Sequence, residues 1–204
     1  MTDEKHVRAS KMLARALRHE PEKFGIELDA HGWAQVGPLV RSMSGKVEFS
    51  RAILEHIVAT DPKGRYEFDA HHTRVRARQG HSVRVDVELE RCDPPAVLYH
   101  GTSAHALDKI MREGIRPMGR LYVHLSPDRE TAVKVGSRRG VPVVLEVDAA
   151  TLAAEGREFL LSRNGVWLTG PVESRFLHAT FPVKAVHDDL RHGRPARAGG
   201  LRET

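Results

Sequence analysis

One cysteine, Cys92, stands in a chain of 204 residues. It excludes an internal disulfide and any cysteine-built zinc finger, and it suits a reducing compartment. Aromatic residues make up only 5% of the sequence, too few for a wall of stacked bases of the RNA-recognition-motif kind. No apolar run approaches the ~20 residues that cross a bilayer. The opening residues, Met1-Thr-Asp-Glu-Lys5, lack the apolar core of a secretory signal, so a cytoplasmic protein with no membrane partner is expected. No G-x-G-x-x-G precedes a helix, and there is no P-loop and no H-E-x-x-H, which argues against a Rossmann dinucleotide site, a P-loop kinase and a zinc protease. The 13 histidines show no metal-ligand spacing, and no metal is expected.

What is present is the composition of an ordinary soluble protein, 40% hydrophobic and 29% charged, long enough for one large domain or two small ones. The net charge of +5 serves either as a solubilising surface or as the counterpart of a polyanion. Ala9, Met12, Leu13, Ala16 and Leu17 share a helical face, and Pro21 ends that helix near His19. Gly25 to Val36 reads as a short hairpin and Pro38 to Met43 as a brief helix. A helix capped by Ser50 follows and stops at Asp61-Pro62. Strands over Arg65–Asp69 and Arg74–Arg78, joined at His71-His72, complete the outline of a winged-helix module. Glu90 to Pro95 reads as a linker.

A second pattern then begins. Val97 to His100 is an expected strand running into Gly101-Thr102, Ser103 caps a helix ended by Gly114, and Leu121 to Leu125 is a strand. Ser126-Pro127 opens another helix, with proline at its first position. Further strands are expected at Pro142–Val147, Phe159–Leu161, Val166–Thr169 and Phe181–Val186. The class is α+β with a split sheet. The Arg- and Gly-rich tail, Arg191 to Thr204, is expected to be mobile.

Chemistry concentrates in Arg76-Ala-Arg-Gln-Gly-His-Ser82. Nearly every side chain there can hold an oxyanion, and Gly80 allows close backbone approach. Arg74, Arg76 and Arg78 alternate onto one strand face and repel unless an anion, or carboxylates such as Glu67 and Asp69, lie among them. Arg18-His19 and Arg138-Arg139 end helices, where the dipole alone favours cations. His100-Gly101-Thr102 leaves an apolar strand ahead of a helix, exposing backbone groups suited to a planar amide. His124-Leu125-Ser126 repeats the arrangement, although a histidine satisfied within the core also explains His124. Asn164-Gly165 reads as a tight turn into a strand.

Taken together, these pieces resemble one family, the NAD-dependent RNA 2′-phosphotransferases of tRNA-splicing type. The matching segments are Leu17-Arg18-His19 with Pro21, Leu28-Asp29 with Gly32-Trp33, Arg76-Ala77 with Gln79-Gly80-His81-Ser82, and Leu98-Tyr-His-Gly-Thr102. Val123-His-Leu-Ser126, Val135-Gly136 with Arg138, and Asn164-Gly-Val-Trp-Leu-Thr169 continue the match in the family's order, over about residues 10 to 177. The resemblance implies a winged-helix RNA lobe over residues 1–92, an ADP-ribosyltransferase-fold lobe over 93–190 and a tail over 191–204.

It also implies a catalytic tetrad, Arg18, His19, Arg76 and Arg138. A wall for NAD is implied from His100, Gly101, Thr102, His124, Ser126, Asn164 and Val166, with RNA-side support from Gln79, His81 and Ser82. The implied partner is RNA bearing an internal 2′-phosphate, acted on by a monomer. The phosphate attacks the nicotinamide ribose, and transesterification then yields 2′-hydroxyl RNA and ADP-ribose 1″,2″-cyclic phosphate. The alternatives are ADP-ribosylation of terminal RNA or DNA phosphates and a non-catalytic nucleic-acid binder. The family pattern leads one to expect glutamate where Arg163 stands, and a neutral residue in place of Arg78.

Overall fold

The computed structural model describes residues 2–180. The strand expected over Phe181–Val186 and the Arg/Gly-rich tail lie outside the described residues.

Helix α1 (Thr2–Arg18) buries Ala9, Leu13, Ala16 and Leu17 and ends one residue before His19, three before the proline that cannot continue it. The hairpin expected over Gly25–Val36 is reduced to a single bridge between Leu28 and Ala34. Asp29 is the reason, because its Oδ1 accepts the N–H groups of both His31 and Trp33 at 2.9 Å, and the chain closes as a side-chain-bonded turn. Strand β1 (Ala34–Gln35) leads into helix α2 (Val36–Ser44). Helix α3 (Arg51–Thr60) is capped by Ser50, whose Oγ accepts from Ile53 N–H at 3.2 Å. Strands β2 (Tyr66–Phe68) and β3 (Arg74–Ala77) pair antiparallel with Glu67 opposite Arg76, and β1 joins the other edge of β3. His71 and His72 are exposed in the turn between them.

Strand β4 (Glu90–Arg91) occupies two residues read from sequence as linker. Strand β5 (Val97–Ser103) runs on through His100-Gly101-Thr102 rather than ending before them, and helix α4 (Ala104–Glu113) follows. After β6 (Val123–Leu125) comes helix α5 (Arg129–Gly136), which does not begin at Ser126-Pro127. Ser126 exchanges backbone hydrogen bonds with Tyr99 at 2.7 and 2.9 Å. The helix is capped instead by Asp128, whose Oδ1 accepts from Thr131 N–H at 2.7 Å. Strand β7 (Pro142–Asp148), helix α6 (Ala149–Ala154) and strands β8 (Phe159–Leu161), β9 (Trp167–Thr169) and β10 (Leu177–Thr180) complete the described chain.

The class is α+β, with three antiparallel sheets ordered β1-β3-β2, β10-β7-β5 and β4-β8-β9-β6. Two apolar clusters fill it. One joins α1, α2, α3 and the first sheet through Leu13, Leu17, Leu39, Leu54 and Tyr66. The other joins the remaining sheets through Leu98, Leu125, Leu145, Phe159 and Trp167. Among the described residues no helix is long and apolar enough to cross a membrane.

The tightest contact in the second cluster's surroundings is between β5 and α5. A Cβ on Gly101 would lie 1.8 Å from the carbonyl oxygen of Ala132, and one on Gly136 would lie 2.5 Å from that of Thr102. Two glycines facing one another thus let the helix sit directly on the strand, which holds its C-terminal end beside His100 and Thr102. Gly101→Ala should therefore displace α5 and lower the unfolding free energy by at least ~1–3 kcal/mol in chemical denaturation. Alanine at the exposed, unobstructed Gly119 should change it little.

Candidate active site

Arg18, the last residue of α1, is 8% exposed. Its carbonyl accepts Ser82 N–H at 2.9 Å, which ties the helix end to the Gln79–Ser82 segment. Its guanidinium lies 5.8 Å from the centre of the Tyr66 ring and against the Cα face of Gly80, where a Cβ would meet its Cζ and Nη1 at 3.5 Å. Gly80 has φ 88°, so the segment turns here at a residue free of both strain and side chain. Among the described residues three buried side-chain nitrogens have no hydrogen-bond partner: Arg18 Nε, Arg18 Nη2 and His81 Nε2. Burial lowers the Arg18 pKa to about 10, which leaves it a cation at neutral pH.

A buried guanidinium normally has a carboxylate. The acids nearest in effect are committed elsewhere: Asp61 bonds Arg65 through both oxygens, and Glu20 bonds Arg15 and Lys23. Next to Arg18, the exposed ring of His19 places Nδ1 3.0 Å from Ser82 Oγ. Desolvation, then the charges of Arg18 and Arg120, lower its pKa. His81 is 3% exposed, and burial followed by the Arg18 charge lowers its pKa to about 4.

Arg76 is held differently. It is 1% exposed, donates from Nε to Glu67 at 2.7 Å and from Nη1 to Glu88 at 3.0 Å, and lies 4.4 Å from the centre of the Trp33 ring. Its neighbours on the strand face are also paired: Arg74 with Asp69 and Asp29, Arg78 with Glu67. The carboxylates that the alternation demanded are thus present. Arg138 lies exposed in a 3-10 turn (Ser137–Arg139) directly after α5. Its charge is felt by Lys63, whose pKa falls through burial, then Arg138. The structure therefore joins Arg18, His19, His81 and Ser82 in one place, with Arg76 near enough to bear on His81.

The second half brings two histidines to the same place. His100 Nδ1 is 3.1 Å from the carbonyl of His124, so it carries the proton and leaves Nε2 as an acceptor. His124 Nδ1 is 3.0 Å from the Tyr122 carbonyl, and its Nε2 is 2.9 Å from the Gln79 side-chain amide. Burial, then the Arg120 charge, lowers the His124 pKa to about 3. A neutral ring that donates from Nδ1 must accept at Nε2, so Gln79 presents its amide N–H₂ there. Gln79 thus bonds the histidine expected on the NAD wall rather than standing apart from it.

Ser126 is held by its backbone exchange with Tyr99. Thr102 faces Gly136 through the close β5–α5 packing. The Asn164 amide donates to Lys63 O at 2.7 Å, and Gly165 at φ 76° closes the tight turn ahead of half-buried Val166. Arg163, where glutamate was expected, reaches Glu67 at 3.3 Å, so that one carboxylate receives Arg76, Arg78 and Arg163. Sequence reasoning missed Glu67 in this role, along with Glu88, the Trp33 platform and Arg120. Among the described residues no cluster of three or more His, Cys, Asp or Glu could hold a metal ion.

A buried cation without its own carboxylate, flanked by neutral histidines with lone pairs to offer, defines an α+β protein built to hold a phosphorylated, hydroxyl-bearing ligand. Residues 4–170 match the profile of a family described as RNA 2′-phosphotransferase, Tpt1 / KptA family. The chain is 50% identical over 183 residues to the probable RNA 2′-phosphotransferase of Streptomyces coelicolor, covering 89% of this chain and all of that protein. It is 48% identical to the Streptomyces griseus counterpart, covering 87% and 98%, and 43% identical to that of Flavobacterium johnsoniae, covering 82% and 93%. The chain belongs to the RNA 2′-phosphotransferase family and is a transferase.

The depressed histidines set a pH dependence. Between pH 6.5 and about 4 the unfolded chain binds protons that the folded His81 and His124 refuse, so falling pH favours unfolding over that window. In NMR titration both imidazoles should remain neutral at pH 5.5, where exposed His71 and His72 are already mostly protonated.

Proposed function

We propose that the protein removes an internal 2′-phosphate from RNA using NAD, in two steps: ADP-ribosylation of the phosphate with loss of nicotinamide, then transesterification. The observation that carries this reading is the buried Arg18 guanidinium, with two unpartnered nitrogens, beside His19 in a chain of this family. A guanidinium in that state is matched by a dianionic phosphate, which takes two N–H groups at once. The three helices ahead of the β2–β3 hairpin serve as a winged-helix RNA lobe, and the two remaining sheets as an ADP-ribosyltransferase-type lobe.

The residues of the second half fit NAD. His100 Nε2 is a fixed acceptor suited to a ribose hydroxyl, and the strand carrying Gly101 and Thr102 offers backbone groups for a planar amide. His124, Ser126, Asn164 and Val166 complete the wall. When bound, NAD supplies the ribose carbon that takes the phosphate, and the adjacent hydroxyl that later displaces the RNA.

Arg18 holds the phosphate throughout, with Arg138 reaching it from the end of α5. Arg76, fixed by Glu67, Glu88 and Trp33, completes the field from below and keeps Nη2 for the ligand. No carboxylate stands near the attacking oxygens, as suits a nucleophile that is itself an anion. His19 is neutral in the free protein because Arg18 and Arg120 press on it; a bound dianion reverses that pressure and raises its proton affinity. It then donates a proton to the departing 2′-oxygen of the RNA. Gln79, His81 and Ser82 line the RNA side.

An oligonucleotide with one internal 2′-phosphate, incubated with NAD and read by mass, should lose the phosphate and release nicotinamide and a cyclic phosphate. A stable gain of one ADP-ribose on terminal phosphates alone would assign the site to capping, and no nicotinamide release would leave only binding. His19→Ala should accumulate ADP-ribosylated RNA. Arg18→Gln should lower kcat/KM by about 10- to 100-fold, the worth of a charge-assisted contact, while the protein melts no lower, since a buried unpaired charge has been removed.

A further inference from the structure

The connector between α4 and β6 has an unusual turn. Arg120 N–H donates to Pro117 O at 3.2 Å, and Met118 inside the turn takes φ 58°, a region that side chains rarely adopt. Met118 is 80% exposed, so packing gives no reason for the conformation. Its consequence lies one residue past Arg120: Leu121 N–H donates to His81 O at 3.0 Å. The strained turn thereby fastens the second half of the chain to the segment that carries Gly80, His81 and Ser82. Leu121 and Tyr122 then line, with Gln79, Gly80, His81 and His124, a cavity of about 340 Å³.

We infer that Arg120 is a further substrate-binding residue, delivered by this turn to the phosphate that Arg18 and His19 hold. The inference rests on the phosphate reading proposed above and deepens it. Its support is first the pin at His81, which fixes the residue next to Arg120 against the phosphate segment. The field of Arg120 agrees with that placement, because its charge lowers the proton affinity of Arg18 and His19 on one side and of His100 and His124 on the other. A cation felt by all four stands between the group that would carry the phosphate and the group that would carry the ribose. The groups around His19 are Arg18 and Glu20 on its own segment, Ser82 on the segment opposite and Arg120 on the connector. Glu20 is engaged by Arg15 and Lys23. Like charges converge on His19 with no carboxylate reserved for them, a convergence that a phosphate dianion relieves.

The test uses Arg120→Gln and Arg120→Lys in the full chain, with binding followed by anisotropy on two oligonucleotides that differ only in one internal 2′-phosphate. Arg120→Gln should weaken the phosphorylated oligonucleotide by about tenfold or more and the unphosphorylated one by no more than about twofold. Lysine, keeping the charge but not the fork, should recover part of the loss. In the free Arg120→Gln protein the His19 pKa, read by NMR, should rise, which a merely structural role for Arg120 would not produce. Equal weakening of both oligonucleotides, or an unmoved His19 pKa, would overturn the inference. Binding is read without turnover, so an inactive wild-type protein would sink the two-step reaction while leaving this outcome readable.

Discussion

The structure turns on one unbalanced charge. Keeping the Arg18 guanidinium out of water without a bonded carboxylate costs the folded state of the order of several kcal/mol. Several features look arranged around it: the Tyr66 ring, the missing side chain at Gly80, and the Ser82 N–H that anchors the Arg18 carbonyl. The neighbouring acids bond other arginines and lysines, so they lower the general field without quenching Arg18 itself. Stability is thus traded for a site ready to bind an anion without first breaking an ion pair.

Around that cation the titratable groups divide by charge state. Arg76, Arg74 and Arg78 are neutralised by Glu67, Glu88, Asp69 and Asp29, so the most basic-looking strand is internally balanced. The histidines nearest Arg18 are held neutral by burial and by surrounding cations. Neutrality gives each ring one donor and one acceptor, and the chain of contacts from Gln79 through His124 to His100 assigns which nitrogen is which. That chain also links residues far apart in sequence, so the RNA-side segment and the ribose-side strand are set relative to one another. The Arg163–Glu67 pair adds a second link at the surface, where an exposed arginine contributes little to stability.

Much of the fold could be read from local pattern. The face of α1, the Ser50 cap and the β2–β3 hairpin follow from periodicity and capping chemistry, which are properties of neighbouring residues. The expectations that failed were those in which a tertiary partner outbid a local signal. The proline after Ser126 suggested a helix start, yet Ser126 is engaged by the backbone of Tyr99 and the cap passes to Asp128. The Gly25–Val36 hairpin yields to the Asp29 turn because β3 pairs with β1. Glu90-Arg91 carries no strand signal, and its pairing comes wholly from β8.

The sequence by itself determined the family, the α+β class and the residue types available for phosphate chemistry, because motif order and side-chain identity are carried along the chain. It could not tell which arginine is spent on carboxylates and which is left for a ligand. Arg76 is paired and Arg18 is not, although both end in the same guanidinium. Only the tertiary structure decided that, because charge balance is settled by which groups lie within a few ångströms of one another in space. The same holds for Arg120, silent in the linear pattern and brought to the site by one backbone hydrogen bond between Leu121 and His81.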